Sequence, residues 1–184
     1  MRFEKITVEF ERYQSLDIIA TSPEEEVTDP TVKPTEPTKY DPYENDKVKK
    51  YATYCPLEEL FQNSDVITFH TPATKSSYHM VNKETLATMK DGVILVNTAR
   101  GSIMDTPAFI DAVESGKVGA AALDVIENEL GIFYGDYKYQ VIGHREMAIL
   151  KDFPNVLMLP HMAFYTENAV SDMVEHSIRH ILDG

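Results

Sequence analysis

Apolar side chains form short runs along the second half of the chain, and polar stretches of helix length separate these runs. Nearly all-aliphatic runs of four to eight residues are typical of strands that are covered on both faces. Four runs have this character: VITFH (66–70), VILVNTA (93–99), GAAALDV (119–125) and NVLMLP (155–160). We therefore predict four neighbouring parallel strands, each buried on both faces.

The segments between these runs have the periodicity of helices. In TPAFIDAVESG, Asp105 or Thr106 can cap the first turn, Pro107 lies in that turn and Gly116 ends the helix. Strands that alternate with helices at this spacing predict an α/β fold with a doubly wound parallel sheet. Four helical segments are predicted: 56–65, 83–90, 106–116 and 166–184.

The first 40 residues have a different pattern. ITVEFERY (6–13) alternates apolar and polar side chains, and LDIIA (16–20) could form a second short strand. From Pro23 to Pro42 the chain contains five of its ten prolines and almost no large aliphatic side chain. This composition indicates a linker or surface loop without a long helix or a buried strand. We predict an N-terminal remnant and proline-rich linker over 1–39 and a domain over 40–184.

Composition excludes several classes of function. The 30 acidic and 17 basic side chains give a net charge of −13, which would repel nucleic acid and an anionic membrane surface alike. Cys55 is the only cysteine, so neither an internal disulfide nor a cysteine-based zinc cage can form. The charged N-terminal segment lacks the apolar run of a signal peptide. We expect a cytoplasmic protein without a metal site.

Polar side chains follow each predicted strand at its carboxyl end, where doubly wound sheets bind ligands. They include a fixed cation, carboxylates and an imidazole, which together could bind a small carboxylate and move a proton at the neighbouring carbon. These side chains belong to four groups: His70-Thr71-Pro72, Asn97 to Gly101, Asp124 with Glu127 and Glu129, and His161.

The segment NTARGSIMDTPAFIDAVESGKVGAAALDVIENE (97–129), followed by FPNVLMLPHMAFYT (153–166), resembles the signature of the D-isomer-specific 2-hydroxyacid dehydrogenases. Its arginine-glycine turn, its Asp-Val-x-Glu segment and its Pro-His pair occur in the order of that family. GIFYGD (131–136) and the residues after His161 are more similar to the D-lactate dehydrogenase branch. The resemblance covers about residues 40–184 and implies a Rossmann-like NAD-binding domain.

The resemblance implies roles for three catalytic residues in an NAD-dependent oxidoreductase. Arg100 would hold the carboxylate and carbonyl of a small 2-oxo acid, such as pyruvate. His161 would exchange a proton with the carbonyl oxygen as this acid and its D-2-hydroxy acid interconvert. Glu129 would bind the other imidazole nitrogen, fix its tautomer and favour the protonated ring. We expect the three side chains to converge on one cleft.

The resemblance also implies a binding surface for NAD and a possible homodimer through the cofactor domain. Asp41, in YDPYEN, would bond to the adenosine ribose and disfavour NADP. Five residues would lie along the nicotinamide side of the cofactor: Thr71, Pro72, Thr98, Ala99 and Asp124. Arg100 would also contact the cofactor.

The chain departs from the family pattern in its N-terminal part. A dinucleotide-binding turn needs glycines so that the backbone can approach the pyrophosphate, yet the first glycine is Gly92. The residues before Asp41 do not suggest a strand and helix that could form a first βα unit. Forty residues are also too few for the substrate domain of the family. We therefore expect a truncated, partial doubly wound sheet that lacks its first βα unit.

Three functions remain open from the sequence. The first is the dehydrogenase, and the second is a non-catalytic remnant that keeps the fold and at most self-associates. The third is an NADP-dependent hydroxypyruvate or glyoxylate reductase, which Asp41 disfavours.

Simpler roles are also possible for single residues. Arg100 could be a surface ion-pair partner, and Glu127 and Glu129 could form a solvated acidic turn. Cys55 has no evident base and is not expected to be a nucleophile. Four further histidines are expected to be solvated: His79, His144, His176 and His180.

Overall fold

The computed structural model contains one β-sheet. The structure describes residues 37–133 and 135–182 in full, and the backbone of residues 18–21 and of Asp183. The strand order of the sheet is β3-β2-β1-β4-β5-β6-β7. Within the described residues the strands are β1 (Ile18–Thr21), β2 (Thr38–Lys39), β3 (Thr53–Tyr54), β4 (Val66–Phe69), β5 (Val93–Asn97), β6 (Val118–Leu123) and β7 (Val156–Met158).

The last four strands are parallel neighbours, as the apolar runs predict. Val66 pairs with Ile94 between β4 and β5, and Ala121 pairs with Val156 between β6 and β7. β5 and β6 pair in parallel between them, with a register shift after Val93. The prediction of four adjacent parallel strands is therefore confirmed.

Burial alternates along these strands, so the prediction that both faces are fully buried is wrong. Ile67 and Leu95 are fully buried, whereas Ile94 and Val96 on the other face are only half-buried. On the edge strand β7, Leu157 is 58% exposed. The sequence pattern identified strands with two apolar faces, but in the described residues the helices cover one face more completely than the other.

Five α-helices accompany the sheet in the described part of the chain. The first four contact one another in order, and α3 and α4 also contact β6 and β7, so they form one layer. The four helical segments predicted from the sequence are all present. The helices are α1 (Leu57–Asn63), α2 (Lys83–Thr88), α3 (Thr106–Glu114), α4 (Arg145–Asp152) and α5 (Glu167–Asp183).

Local chemistry explains where α3 begins and why α4 was not predicted. The Asp105 carboxylate accepts a hydrogen bond from the Ala108 N–H at 3.2 Å, as an N-cap residue does. In α4 only Met147 and Leu150 are buried, which is too few for a clear helical pattern. The cap of α4 is the imidazole of His144, a residue type outside the usual cap set.

Helix α5 is amphipathic, as predicted, but nearly all of it is exposed. Val174, Ile178 and Ile181 are 55%, 53% and 79% exposed. No helix in the described part of the chain is both long and apolar enough to cross a membrane.

The N-terminal strands differ from the sequence prediction. The strand predicted in LDIIA is confirmed as β1, which pairs antiparallel with both β2 and β4. The prediction that residues 23–42 supply no buried strand is wrong at Thr38–Lys39, where Lys39 is buried. Residues 6–13 and 23–36 lie outside the described residues. The sheet thus includes residues on both sides of residue 40, and the division at 40 stays a prediction.

The antiparallel direction of β1 agrees with the expectation that the sheet lacks its first βα unit. A first βα unit would place its strand parallel to β4, whereas Ile18 of β1 pairs antiparallel with Phe69. Among the described residues, no such parallel strand lies between β2 and β4.

The core is expected to depend on the central strand β5. Leu95→Ala should lower the free energy of unfolding by about 2–5 kcal/mol, because Leu95 is fully buried and truncation leaves a cavity. The matched change Leu130→Ala removes the same atoms from a side chain that is 96% exposed, and should cost less than about 0.5 kcal/mol. Urea denaturation measures both, and similar losses would contradict the assignment of the core.

Candidate active site

The carboxyl ends of six strands share one edge of the sheet. β2 and β4 are both antiparallel to β1 and therefore run in the same direction, which is also that of β3 and of β5 to β7. The polar residues that follow these strands must then lie along one edge. Asp41, His70, Arg100, Asp124 and His161 are all placed there by the topology.

Asn97 joins the end of β5 to the end of β6. Its side-chain N–H donates to the Arg100 carbonyl, and its side-chain oxygen accepts from the Ala99 N–H, each at 3.0 Å. Its backbone carbonyl accepts from the Asp124 N–H at 2.9 Å. With 1% exposure, Asn97 therefore fixes the turn that carries Arg100.

Gly101 lets this turn pack against the acidic turn after β6. A Cβ atom at this position would lie 2.0 Å from the Ile126 carbonyl carbon and 2.4 Å from the Glu127 nitrogen. No side chain fits at those distances, so glycine is required by close backbone contact. The arginine turn and the acidic turn are thereby held together.

Asp124 holds the segment that carries His161. Its two carboxylate oxygens accept hydrogen bonds from the Met162 and Ala163 N–H groups, each at 2.7 Å. Its carbonyl accepts from the His161 N–H at 2.7 Å. The carboxylate is buried, and His161 has a positive φ of 54°, an unusual conformation for a residue other than glycine. We attribute that conformation to the three bonds to Asp124.

His161 and Glu129 form a close pair, as the sequence analysis expects. His161 Nδ1 lies 2.6 Å from Glu129 Oε1, and the side chains are 31% and 18% exposed. The other Glu129 oxygen accepts from the Ile126 N–H at 2.9 Å, so its orientation is fixed. Because a carboxylate only accepts, Nδ1 carries the hydrogen of the bond between them.

A second histidine–carboxylate pair lies beside the first and was missed in the sequence. His79 Nε2 lies 2.8 Å from Glu127 Oε1, and the Glu127 side chain is 18% exposed. Glu127 and Glu129 therefore bind different histidines, and the alternative of a solvated acidic turn is wrong. The 48 residues between His79 and Glu127 explain why no local pattern indicates this pair.

His144 also contacts the acidic turn. Its Nε2 donates to the Glu127 carbonyl at 2.9 Å while its Nδ1 accepts from the Met147 N–H at 3.2 Å. The prediction that His79 and His144 are solvated is therefore wrong, because both rings form hydrogen bonds with the acidic turn and both residues are half-buried. His176 and His180 lie on α5 and are exposed, as expected.

Arg100 lies at the same edge with its side chain exposed. Its Nη1 donates to the Ala99 carbonyl at 2.6 Å. Only one of its five N–H donors is used in that bond. The turn that carries Arg100 packs against the backbone of Glu127. The Arg100 guanidinium, however, bonds to its own turn. Convergence of Arg100, Glu129 and His161 on one cleft therefore stays a prediction.

Comparison with known proteins assigns the chain to a family. The model for the D-isomer specific 2-hydroxyacid dehydrogenase, NAD binding domain, matches residues 35–163. The chain belongs to this family. Its matched region contains both histidine–carboxylate pairs described above, and the family consists of oxidoreductases.

Individual dehydrogenases support this assignment. An aromatic 2-oxoacid reductase of Clostridium sporogenes is 44% identical over 142 residues, which are 77% of this chain and 43% of the relative. The crystal structure of a D-lactate dehydrogenase from Treponema pallidum superposes with a TM-score of 0.74 at 44% identity, covering 77% of this chain and 43% of that one. The NAD+ complex of the Lactobacillus jensenii D-lactate dehydrogenase has a TM-score of 0.72 at 35% identity, covering 77% and 43%.

The chain therefore spans less than half the length of the dehydrogenases it matches. The fold is the Rossmann-like α/β fold of those enzymes, as the sequence analysis predicts. Within residues 37–133 and 135–182, no cluster of three or more His, Cys, Asp or Glu has the arrangement of a metal site.

The residues that the sequence analysis predicts along the nicotinamide side of the cofactor follow strands at this edge of the sheet. Thr71 and Thr98 are half-buried and Ala99 is buried at the strand edge, while Pro72 is exposed and accepts a bond from Ser77 Oγ at 2.7 Å. The Asp124 carboxylate is instead engaged with the His161 segment, so its nearest role is to position that segment.

The pyrophosphate side of NAD fits the chain less well. No glycine precedes Gly92, so no glycine-rich turn can follow β1. The Asp41 carboxylate, expected at the ribose, accepts from the Tyr43 N–H at 2.8 Å and lies 3.2 Å from Lys39 Nζ. The chain therefore has no glycine-rich turn before Gly92 that could approach the pyrophosphate.

The pKa of His70 should make stability depend on pH. Burial lowers the pKa of His70 below 6.5, and the Lys39 charge lowers it further. Below pH 6.5 the unfolded chain therefore binds a proton before the folded chain does, and stability falls as pH falls. His70→Gln should flatten this loss in urea denaturation between about pH 7 and about pH 5, whereas His176→Gln should not. Parallel curves for His70→Gln and wild type would contradict it.

The two pairs predict reciprocal effects of two matched substitutions. Glu129→Gln should change the ring-nitrogen chemical shifts of His161 and leave those of His79 unchanged, because it removes a charged acceptor from His161 alone. Glu127→Gln should do the reverse. Long-range proton–nitrogen NMR spectra measure both rings, and equal effects of the two variants on His161 would show that the pairing is wrong.

Proposed function

We propose that the chain acts as an NAD-dependent oxidoreductase of the D-2-hydroxyacid dehydrogenase type. It would interconvert a small 2-oxo acid, such as pyruvate, and its D-2-hydroxy acid. The observation that carries this proposal is the 2.6 Å contact between His161 Nδ1 and Glu129 Oε1 at the edge that also carries Arg100. Membership of the dehydrogenase family supports it.

His161 would be the residue that exchanges a proton with the substrate. Since Nδ1 is bonded to Glu129, exchange with the substrate oxygen would take place at Nε2. The Glu129 carboxylate would fix the tautomer and stabilise the charged ring once it is protonated. Asp124 would keep the ring at the site through its bonds to the following backbone N–H groups.

Arg100 would bind the carboxylate of the 2-oxo acid. Its planar guanidinium can donate two parallel bonds to a carboxylate while one N–H stays on the Ala99 carbonyl. NAD supplies or accepts the hydride in this chemistry. Thr71, Pro72, Thr98 and Ala99 would lie along its nicotinamide side, and Asp41 near its adenosine ribose.

The substrate side chain is left open by the relatives. The Clostridium sporogenes protein is named an aromatic 2-oxoacid reductase and the Treponema pallidum protein a D-lactate dehydrogenase. Pyruvate and phenylpyruvate should therefore be compared. We also propose a cytoplasmic protein without a nucleic-acid partner, as the net charge of −13 supports, and a possible homodimer.

A second candidate function is a non-catalytic remnant of such an enzyme. It is favoured by the absence of any glycine before Gly92 and by the antiparallel β1, both of which weaken the pyrophosphate side of the site. Its fold would persist, and it would at most self-associate.

Turnover separates the two functions. The purified chain should oxidise NADH in the presence of pyruvate or phenylpyruvate, and His161→Gln should lower the rate by about 10² to 10⁴-fold because it removes the proton-transfer group. His176→Gln, on the exposed face of α5, is the matched control and should keep the rate. Absence of activity in the wild-type chain, or equal rates for the two variants, would favour the remnant.

A further inference from the structure

His144 joins the start of α4 to the acidic turn that follows β6. Its side chain is 9% exposed, and both ring nitrogens are bonded to backbone groups. Nε2 donates to the Glu127 carbonyl at 2.9 Å, and Nδ1 accepts from the Met147 N–H at 3.2 Å. Because a carbonyl only accepts and an N–H only donates, these two bonds require the neutral ring with its hydrogen on Nε2.

The bond from His144 sets the orientation of one peptide in the acidic turn. The Glu127 carbonyl and the Asn128 N–H belong to the same planar unit, so a bond to one fixes both. Asn128 has a positive φ of 58°, a left-handed conformation that asparagine tolerates better than most residues. Rotation of this peptide would change the backbone immediately before Glu129.

Glu129 depends on the same turn for its position. One of its carboxylate oxygens accepts from the Ile126 N–H at 2.9 Å, and its carbonyl accepts from the Ile132 N–H at 3.0 Å. The other carboxylate oxygen lies 2.6 Å from His161 Nδ1. The orientation of the peptide that precedes Glu129 therefore bears on the histidine–carboxylate pair that the proposed function uses.

Proton uptake would replace one of the two bonds of His144. A charged imidazole carries hydrogen on both nitrogens, so Nδ1 could not accept from the Met147 N–H, and the positive ring would face the positive end of α4. Glu146 Oε2 lies 3.5 Å from the same nitrogen and offers the charged ring a different partner. On the acidic turn, the Glu127 carboxylate is engaged by His79 at 2.8 Å. Histidine changes its charge between about pH 5 and about pH 8, so mild acidification is sufficient for this exchange.

We propose that His144 is a positioning residue that holds Glu129 in place only while its ring is neutral. The neutral ring ties the N-terminus of α4 to the acidic turn. A proton on Nδ1 moves the ring toward Glu146 and releases the peptide between Glu127 and Asn128, so acidification loosens the carboxylate that orients His161. The inference rests on the proposed function, because it takes Glu129 as the partner of a proton-transfer histidine.

An NMR titration of the intact chain from about pH 8 to about pH 5 tests the inference. The Met147 and Asn128 amide signals should shift with the same midpoint as the ring nitrogens of His144, because one reports the cap and the other the peptide that His144 orients. Hydrogen exchange of the Ile126 N–H is measured relative to the unfolded chain at the same pH. Its protection should fall about tenfold across the midpoint, since a cap and one further hydrogen bond are lost.

His144→Asn separates the cap from the titration. Asparagine is a strong N-cap residue without a titrating group, so α4 keeps its cap at every pH. In this variant the Met147 and Asn128 signals should lose the midpoint, and the protection of Ile126 should change less than about threefold. His176→Asn makes the same change on the exposed α5 and should keep the wild-type response. Thermal unfolding confirms that each variant is folded, and His144→Asp replaces His144→Asn if the latter is not.

Three results would overturn the inference. They are a His144 ring that takes up no proton down to about pH 5, amide signals that do not follow its midpoint, and the same pH response in the wild type and in His144→Asn. None of these measurements requires turnover, so the His161→Gln experiment decides the proposed function separately.

Discussion

The buried carboxylate of Asp124 is the interaction on which the rest of the site depends. It lies at the end of β6, and its bonds to the backbone after His161 hold that residue at a positive φ of 54°. The Asn97 carbonyl accepts a hydrogen bond from the Asp124 N–H, so Asp124 links the ends of β5, β6 and β7. Because these bonds are short and their acceptor is a buried carboxylate, they can maintain the strained turn.

The contacts that orient His161 are therefore complete within a chain that spans less than half of its relatives' length. The groups that orient His161 all come from residues 97–163, and α1 to α4 cover one face of the sheet behind them. The other face is half-buried in the described residues, and α5 exposes its apolar side chains. The side chains of the candidate site are thus held by hydrogen bonds, whereas the apolar side chains on the second sheet face and on α5 are only partly covered in the described residues.

The sequence was most informative where a motif and a strand end coincide. The positions of Arg100, Glu129 and His161 follow from such motifs, and Glu129 was correctly preferred to Glu127 as the partner of His161. The partner of Glu127 could not be predicted, because His79 reaches it only through the folded chain. Nor could the sequence show that Lys39 is buried, since a lysine beside prolines is usually solvated and its burial depends on the ion pair with Asp41. The exposed sheet face was missed because an aliphatic strand has the same pattern whether or not a second helix layer covers it.

We propose that the chain keeps the nicotinamide and proton-transfer half of a dehydrogenase site but lacks the glycine-rich turn that binds pyrophosphate. Calorimetric titration of the purified chain with NADH tests it most directly. Pyrophosphate contacts contribute several bonds of about 1.5 to 3 kcal/mol each, so their loss should leave saturable binding only in the millimolar range. Absence of binding at millimolar NADH would contradict a retained nicotinamide half, and binding in the nanomolar range would contradict the loss of the pyrophosphate contacts.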